Sequence, residues 1–423
     1  MNPSSKISLG NFSVSVLLFL LSFAVLWPRS NSAYFHIDEI FWICTDENWL
    51  PTQNIRDIQH KIPGTSYFSN GPVAKYLFQG WSYVIRSPGQ FAAIECSRWP
   101  RYYADKSFTE LSPQIHELLV KYRLLIAVLG SMCISVAFIF GKQLVNNAFG
   151  LIYAALLFIN PIFQEAATHV LSEIPFLLIF LISMHCLYWL FASGWGSLQK
   201  ISKQYIIITA FLIVVTSLIK PAGFILIYFV LSLSCLLYLR HEVKKTTKVF
   251  LSKHAALFTG TFIASFVGLY PALFIPSFAG FWWLKVIRDT AQFHAYYNPF
   301  TSAADRFDSM FEKIQVVIAD LLFPGLQTGL LSKFPFVLLF TVVGVIALIV
   351  IIRKKSHDSM WFTASFILLA GAIFVICGFL LLPVHWVRYY LSLFLPVLLL
   401  IEAYGIWHGM RIFQRLKRKY ILR

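Results

Sequence analysis

Residues 335–355 read PFVLLFTVVGVIALIVIIRKK: 18 positions without a charge, closed by Arg353, Lys354 and Lys355. Wound as helix, such a run is about 27 Å long, close to the thickness of a bilayer's hydrocarbon core. With no water beside it the backbone must satisfy its own hydrogen bonds, which a helix does. The cations mark the end that stays on the cytoplasmic side. Similar runs lie near 12–28, 118–141, 148–162, 174–192, 204–219, 222–240, 255–276, 361–383 and 391–410. The pattern predicts an all-α polytopic membrane protein with about ten spans, give or take two. The run at 148–162 is short and ends at Asn160-Pro161, so a tilted or incomplete crossing is expected there.

Composition agrees. Of 423 residues, 58% belong to the set AVILMFWYC and 13% are charged, where soluble domains carry about 25% charge. The mean hydropathy is +0.69. Disordered, collagenous, coiled-coil and secreted disulfide-rich classes are thereby excluded. The net charge of +16 would suit nucleic acid, but charge placement points to lipid. Alternation from a cytoplasmic N-terminus leaves 1–11, 142–147, 193–203, 240–254, 353–360 and 411–423 inside. Those segments hold 18 of the 35 Lys and Arg but only two of the 19 acids, Glu242 and Asp358. Both termini are therefore expected in the cytoplasm, with membrane lipid and not nucleic acid as the partner surface. A cleaved signal peptide ending before Asn31-Ser32-Ala33 is the other reading of the first span. Of the cysteines, Cys44 and Cys96 alone lie outside the spans.

Two long outer segments, 29–117 and 277–334, interrupt the spans, and loops of this length are usually functional. Each carries a short amphipathic stretch, at 73–85 and 306–322, suited to lying along the interface. The chain is read as one transmembrane domain, 1–423, with no separate C-terminal soluble domain. The most informative local feature is His36-Ile37-Asp38-Glu39, just beyond the first span. Of two adjacent carboxylates, one can act as general base toward an acceptor hydroxyl while the other orients it or holds a cation. A solvated loop face is the alternative. Asp46-Glu47 reads as such a face. Glu402, inside the last span, should face the bundle.

An x-Asp-Glu motif in the first outer loop resembles the hallmark of the C-type (GT-C) glycosyltransferases, polytopic enzymes that use lipid-phosphate-linked sugars. Further stretches are similar to the protein O-mannosyltransferase and aminoarabinose-transferase branch of that superfamily. They are Tyr122-Arg123-Leu124-Leu125, Asn160-Pro161 followed by Leu171-Ser172-Glu173, Leu218-Ile219-Lys220-Pro221, and Arg388-Tyr389-Tyr390-Leu391 with Pro396. The sequence departs from many relatives in having His169 and Glu173 where they carry Arg and Asp. The resemblance implies a GT-C-like bundle with an outward-facing site. It casts Asp38 as the base in an inverting transfer, with Glu39 supporting it. The donor would be a polyprenyl-phosphate-linked sugar, and the acceptor a protein, lipid or glycan.

The leaving polyprenyl phosphate needs fixed cations. Lys220 and Arg388 are isolated cations beside apolar runs, and His385, Tyr389 and Tyr390 would add donors. Snorkelling to the headgroups is the other reading for both cations. Lys285, Arg288 and His294 lie in an aromatic-rich loop that would cover the donor or form an interfacial belt. Glu165, His169 and Glu173 stand at i, i+4 and i+8, so a continuous helix would place them on one face. They would serve acceptor, sugar or a divalent metal, whose ligand preferences two carboxylates and an imidazole suit. A polar helix end is the alternative. No signature requires a cofactor. A bacterial plasma membrane is the favoured location.

Three other readings compete, one of them an outward-facing polymerase or ligase of lipid-linked glycans, an enzyme without the acidic pair after the first span. A transporter or flippase of lipid-linked sugars would place ionisable groups near the midplane between repeats. Here only Glu402 and His185 lie deep, and no repeat is visible. A non-catalytic scaffold would use the acid pair only to hold the loop.

Overall fold

The computed structural model describes residues 9–34, 39, 42–43, 72–85, 111–196, 201–240, 245–269, 309–322, 336–353, 359–381 and 389–421. Among these residues every regular element is helical, in an all-α polytopic membrane protein. The chain opens with α1 (Leu9–Ser32), α2 (Pro72–Ile85), α3 (Pro113–Leu144), α4 (Asn147–Ile159) and the short α5 (Pro161–Ala166). Next come α6 (Glu173–Gly196), α7 (Lys203–Ile219), a 3-10 turn η1 (Pro221–Phe224), α8 (Ile225–Arg240) and α9 (Lys245–Leu269). The chain continues with α10 (Met310–Leu322), α11 (Phe336–Arg353), α12 (Ser359–Leu381), α13 (Tyr390–Leu393) and α14 (Leu395–Ile421).

Local chemistry sets the boundaries. Ser112 caps α3 ahead of Pro113, and Asn146 Oδ1 accepts from the Phe149 amide at 3.0 Å to start α4. At Asn160-Pro161 the side chain of Asn160 accepts from the amides of Ile162 (3.0 Å) and Phe163 (3.3 Å). The short third run therefore ends there and a new helix begins. Among the described residues five helices are long and apolar enough to cross a membrane: Phe12–Ser32, Pro113–Leu144, Glu173–Trp195, Pro221–Leu239 and Ser359–Leu380. Asn147–Ile159, Lys203–Ile219 and Val337–Arg353 are shorter apolar helices. Two helices run past the apolar stretches that define them in the sequence. α9 starts at Lys245 and α14 reaches Ile421, because Lys, Arg and Leu are good helix formers.

α3 and α6 form the centre. α3 packs on α1, α2, α4 and α6, while α6 also meets α7, α8, α12 and α13. Of the apolar window of α6, 78% is buried, against 11% for α1, which lies at the rim. In an apolar solvent, close packing and inter-helix hydrogen bonds hold helices together. Tyr188 on α6 bonds Thr363 on α12 at 2.8 Å, and Ser183 bonds Thr216 on α7 at 3.1 Å. α11 and α14 approach each other closely. A Cβ at Gly405 would lie 2.0 Å from the Phe340 carbonyl oxygen, and one at Gly344 would lie 2.1 Å from that of Ile401.

Candidate active site

Glu39 is fully buried, and its carboxylate is completely engaged. Arg123, ten residues into α3, donates Nε to Oε1 at 2.8 Å and Nη2 to Oε2 at 2.6 Å. The Val170 amide donates to Oε1 at 2.9 Å. The other guanidinium N–H groups reach backbone carbonyls beyond and within the last turn of α1: Ser30 at 2.7 Å, Ala33 at 3.1 Å and Tyr34 at 2.8 Å. All five donors of the planar fork are thus used. A cation is favourable at this end of α1, where carbonyls lack intrahelical partners. The arrangement fixes the chain just after α1 against α3 and the residues preceding α6. A buried ion pair is tolerated only with such complete satisfaction.

The expected i, i+4, i+8 face is not built, because the chain leaves helix after Ala166 and re-enters it at Glu173. The three side chains divide between two places. Glu165 accepts from the Tyr34 hydroxyl at 2.8 Å. The His169 ring packs on Tyr34 with centroids 4.5 Å apart. Its Nδ1 lies 2.9 Å from the Glu165 carbonyl and 3.2 Å from Thr168 Oγ1, and its Nε2 lies 3.0 Å from the Tyr34 carbonyl. Arg29 hydrogen-bonds Gln164 nearby. Among the described residues no three His, Cys, Asp or Glu converge as metal ligands. The trio therefore does not fit a divalent metal.

Glu173 opens α6 and pairs with Lys220, Oε1 to Nζ 2.6 Å. Lys220 stands where α7 stops: Pro221 lacks an N–H to continue the ladder, and the chain turns through η1. Gly223 lets that turn pack on α7, since a Cβ there would sit 2.5 Å from the Ser217 nitrogen. The Lys220 ammonium also lies 3.5 Å from Ser392 Oγ and 5.1 Å from the Tyr389 ring centre. Its side chain keeps 14% exposure. α13, which carries Ser392, packs on α5, α6 and η1. Of the sequence candidates, the structure thus joins Glu173, Lys220 and Tyr389 in one cluster and Glu165 with His169 in another. Glu39 is tied to the residues between them through Val170. Asp38, Lys285, Arg288, His294, His385 and Arg388 lie outside the described residues.

Sequence reading passed over several contributors. Arg123 was visible only as part of a motif, although a lone cation inside an apolar run is itself a signal. Ser392 and the Val170 amide carry no signal in sequence. Lys75 is the third case. The stretch 73–85, read as interfacial, forms α2, but its polar stripe of Lys75, Gln79 and Ser82 faces inward, and Tyr83 and Val84 are exposed. α2 packs on α3 and α7, with Trp81 Nε1 donating to the Lys121 carbonyl at 3.0 Å. Phe78 sits between Trp42 and Tyr122, at 5.5 and 6.3 Å between ring centres. Burial pushes the Lys75 amine well below the ordinary lysine range.

No protein-family model matches the chain, and no curated protein matches it. Among solved structures, the chain is similar to the oligosaccharyltransferase of Archaeoglobus fulgidus in its apo form. The TM-score is 0.49 at 14% identity, covering 98% of this chain and 52% of that one. It is also similar to the archaeal oligosaccharyltransferase AglB from Archaeoglobus fulgidus in complex with an inhibitory peptide and a dolichol-phosphate. There the TM-score is 0.48 at 12% identity, covering 97% and 52%. The chain spans about half the length of the solved structures it matches.

Proposed function

We propose that the protein is a membrane glycosyltransferase that moves a sugar from a polyprenyl-phosphate-linked donor to an acceptor at the outer membrane face, with both termini cytoplasmic. The observation that carries this reading is the convergence of two ionic anchors on the residues between α5 and α6. Val170 binds Glu39 and, three residues on, Glu173 binds Lys220. Asp38 is the covalent neighbour of Glu39, and Arg388 that of Tyr389 beside Lys220. Glu39, next in sequence to the proposed base, and Lys220, one of the proposed phosphate-binding cations, are thus each tied to one end of the same short segment.

In this reading Glu39 is spent on Arg123, which leaves Asp38 as the carboxylate for chemistry. Asp38 accepts the proton of the acceptor hydroxyl or amine as that atom attacks the anomeric carbon. The carbon–oxygen bond to phosphate breaks, and configuration inverts. Lys220 and Arg388 stabilise the charge left on the polyprenyl phosphate, with His385 and Tyr389 as further donors. An ammonium has three N–H donors, so Lys220 can hold Glu173 and a phosphate oxygen together. Lys285, Arg288 and His294 are assigned to the loop over the donor. The acceptor is a protein, lipid or glycan, and the host membrane a bacterial plasma membrane.

The test is to incubate purified protein with polyprenyl-phosphate sugars of several kinds. Transfer, or slow donor hydrolysis without acceptor, supports the proposal. Binding of donor with neither reaction, together with its movement across a vesicle bilayer, would support a flippase instead.

A further inference from the structure

α8 and α9 are joined by only four residues, 241–244, a connection that normally makes helices antiparallel neighbours. Here α9 instead lies along α7 and makes little contact with α8. The space left between them is a cleft of roughly 730 Å3. Its walls are apolar, with Ile227, Val230 and Leu231 on α8 facing Ala255, Phe258 and Phe262 on α9. The hydroxyl of Ser234 in this wall is already donated to the Val230 carbonyl at 2.8 Å. Among the described residues that line the cleft there is no acid, lysine or arginine, so nothing in its middle asks for a polar ligand.

The two ends differ. At one end Phe224 and Phe266 meet edge to face, 6.3 Å between ring centres, across the space between η1 and α9. At the other end the lining finishes with Tyr238, Leu239 and His254, where the chain becomes strongly basic. Lys253, beside His254, is exposed. α9 runs on for more than two further turns that carry Lys245 and Lys248, and α8 ends at Arg240. Residues 240–254 hold five Lys and Arg against the single acid Glu242. An apolar slot that opens beside a cluster of cations matches one chemistry, an acyl chain ending in an anionic headgroup.

We infer that the α8–α9 cleft is a binding site for an anionic phospholipid of the leaflet on the basic side. One acyl chain fills the slot, and the headgroup lies at its basic end, beside His254 and the exposed Lys253. The bound lipid completes packing that the helices leave open and wedges α9 against α7. Through α7 it bears on Lys220, which ends that helix. This inference is independent of the glycosyltransferase reading.

The test uses the full chain in lipid nanodiscs with phosphatidylglycerol or phosphatidylcholine carrying a diazirine in mid-chain. Photolysis is expected to place phosphatidylglycerol adducts on residues 227–239 and 254–262. Excess unlabelled phosphatidylglycerol should remove them, and excess phosphatidylcholine should not. The preference should be roughly tenfold or more, as several lysines near one headgroup imply. Ser234→Trp, which fills the slot, should abolish those adducts while leaving labelling of the exposed face of α1 unchanged. A triple variant, Lys245→Gln, Lys248→Gln and Lys253→Gln, should erase the headgroup preference and keeps the test decisive if Ser234→Trp folds poorly. Equal labelling by the two lipids, or adducts spread evenly over α1 and the cleft, would overturn the inference.

Discussion

The amide of Val170 donates to the carboxylate of Glu39 at 2.9 Å across 131 residues of sequence. That bond, with the five contacts of Arg123, pins the chain just after α1 beside the residues that precede α6. Three residues after Val170, Glu173 holds Lys220. A non-helical segment of the chain is thus clamped at two points by charge. Such irregular backbone at the head of a bundle is stable only where its polar groups are satisfied.

The Glu39–Arg123 pair is therefore predicted to be structural first. Arg123→Ala or Glu39→Ala leaves the partner charge buried and unpaired, and each should destabilise the protein by about 3–5 kcal/mol. Arg123→Lys should not rescue, because an ammonium has three donors where the site uses five. The double alanine variant should lose less than the sum of the two single losses. Thermal unfolding in a fixed detergent or lipid provides the measurement. An Arg123→Ala protein as stable as wild type would show that the pair does not hold the segment.

Lys220 should behave differently. Lys220→Met is expected to weaken polyprenyl-phosphate binding by about 2 kcal/mol, roughly thirtyfold, with Glu173→Gln leaving affinity unchanged or higher. Titration calorimetry with polyprenyl phosphate separates the two variants. Equal losses in both would mean that the pair acts only as a clamp.

Lys75 predicts a pH effect whose sign can be fixed. Burial lowers the pKa of its amine in the folded state, so the unfolded chain binds more protons at this position. Stability contributed here rises with pH from the lowered native pKa up to the unfolded lysine value near 10.4. Lys75→Met should flatten that rise and melt no lower than wild type near neutrality. Unfolding midpoints measured from pH 7 to 10 check this. A wild-type midpoint that falls over this range while Lys75→Met is flat would contradict it.

The contact between α11 and α14 tolerates no side chain at Gly405. Gly405→Leu forces the backbones apart where a Cβ alone would sit 2.0 Å from a carbonyl oxygen. Overpacking of this kind typically costs about 1–3 kcal/mol. A lowered unfolding midpoint is the expected outcome, and an unchanged one would show that α14 shifts freely.

Much of this arrangement is legible in the sequence because the bilayer simplifies the problem. An uncharged run of the length of 335–352 has one stable form, and the asymmetric placement of Lys and Arg suggests which end is which. Asn160-Pro161 and Lys220-Pro221 also show where helices must stop, since each places a proline where an N–H would be needed. What periodicity cannot supply is the path of the chain between helices. Glu165, His169 and Glu173 have the spacing of one helical face, yet Glu165 and His169 turn to Tyr34 and Glu173 to Lys220. Long-range partners such as these won over local helix. The inward polar stripe of α2 was misleading for a related reason. Its amphipathic spacing is plain, but which face meets protein depends on α3 and α7, distant in sequence.

The central claim is that Glu39 anchors and Asp38 reacts. Its most direct test is single-turnover donor cleavage by Asp38→Asn beside wild type, with the unfolding midpoint measured on the same samples. The account predicts an unchanged midpoint, retained donor binding and a loss of turnover of roughly a hundredfold or more, as removal of a general base entails. An Asp38→Asn protein that cleaves donor at the wild-type rate would contradict it.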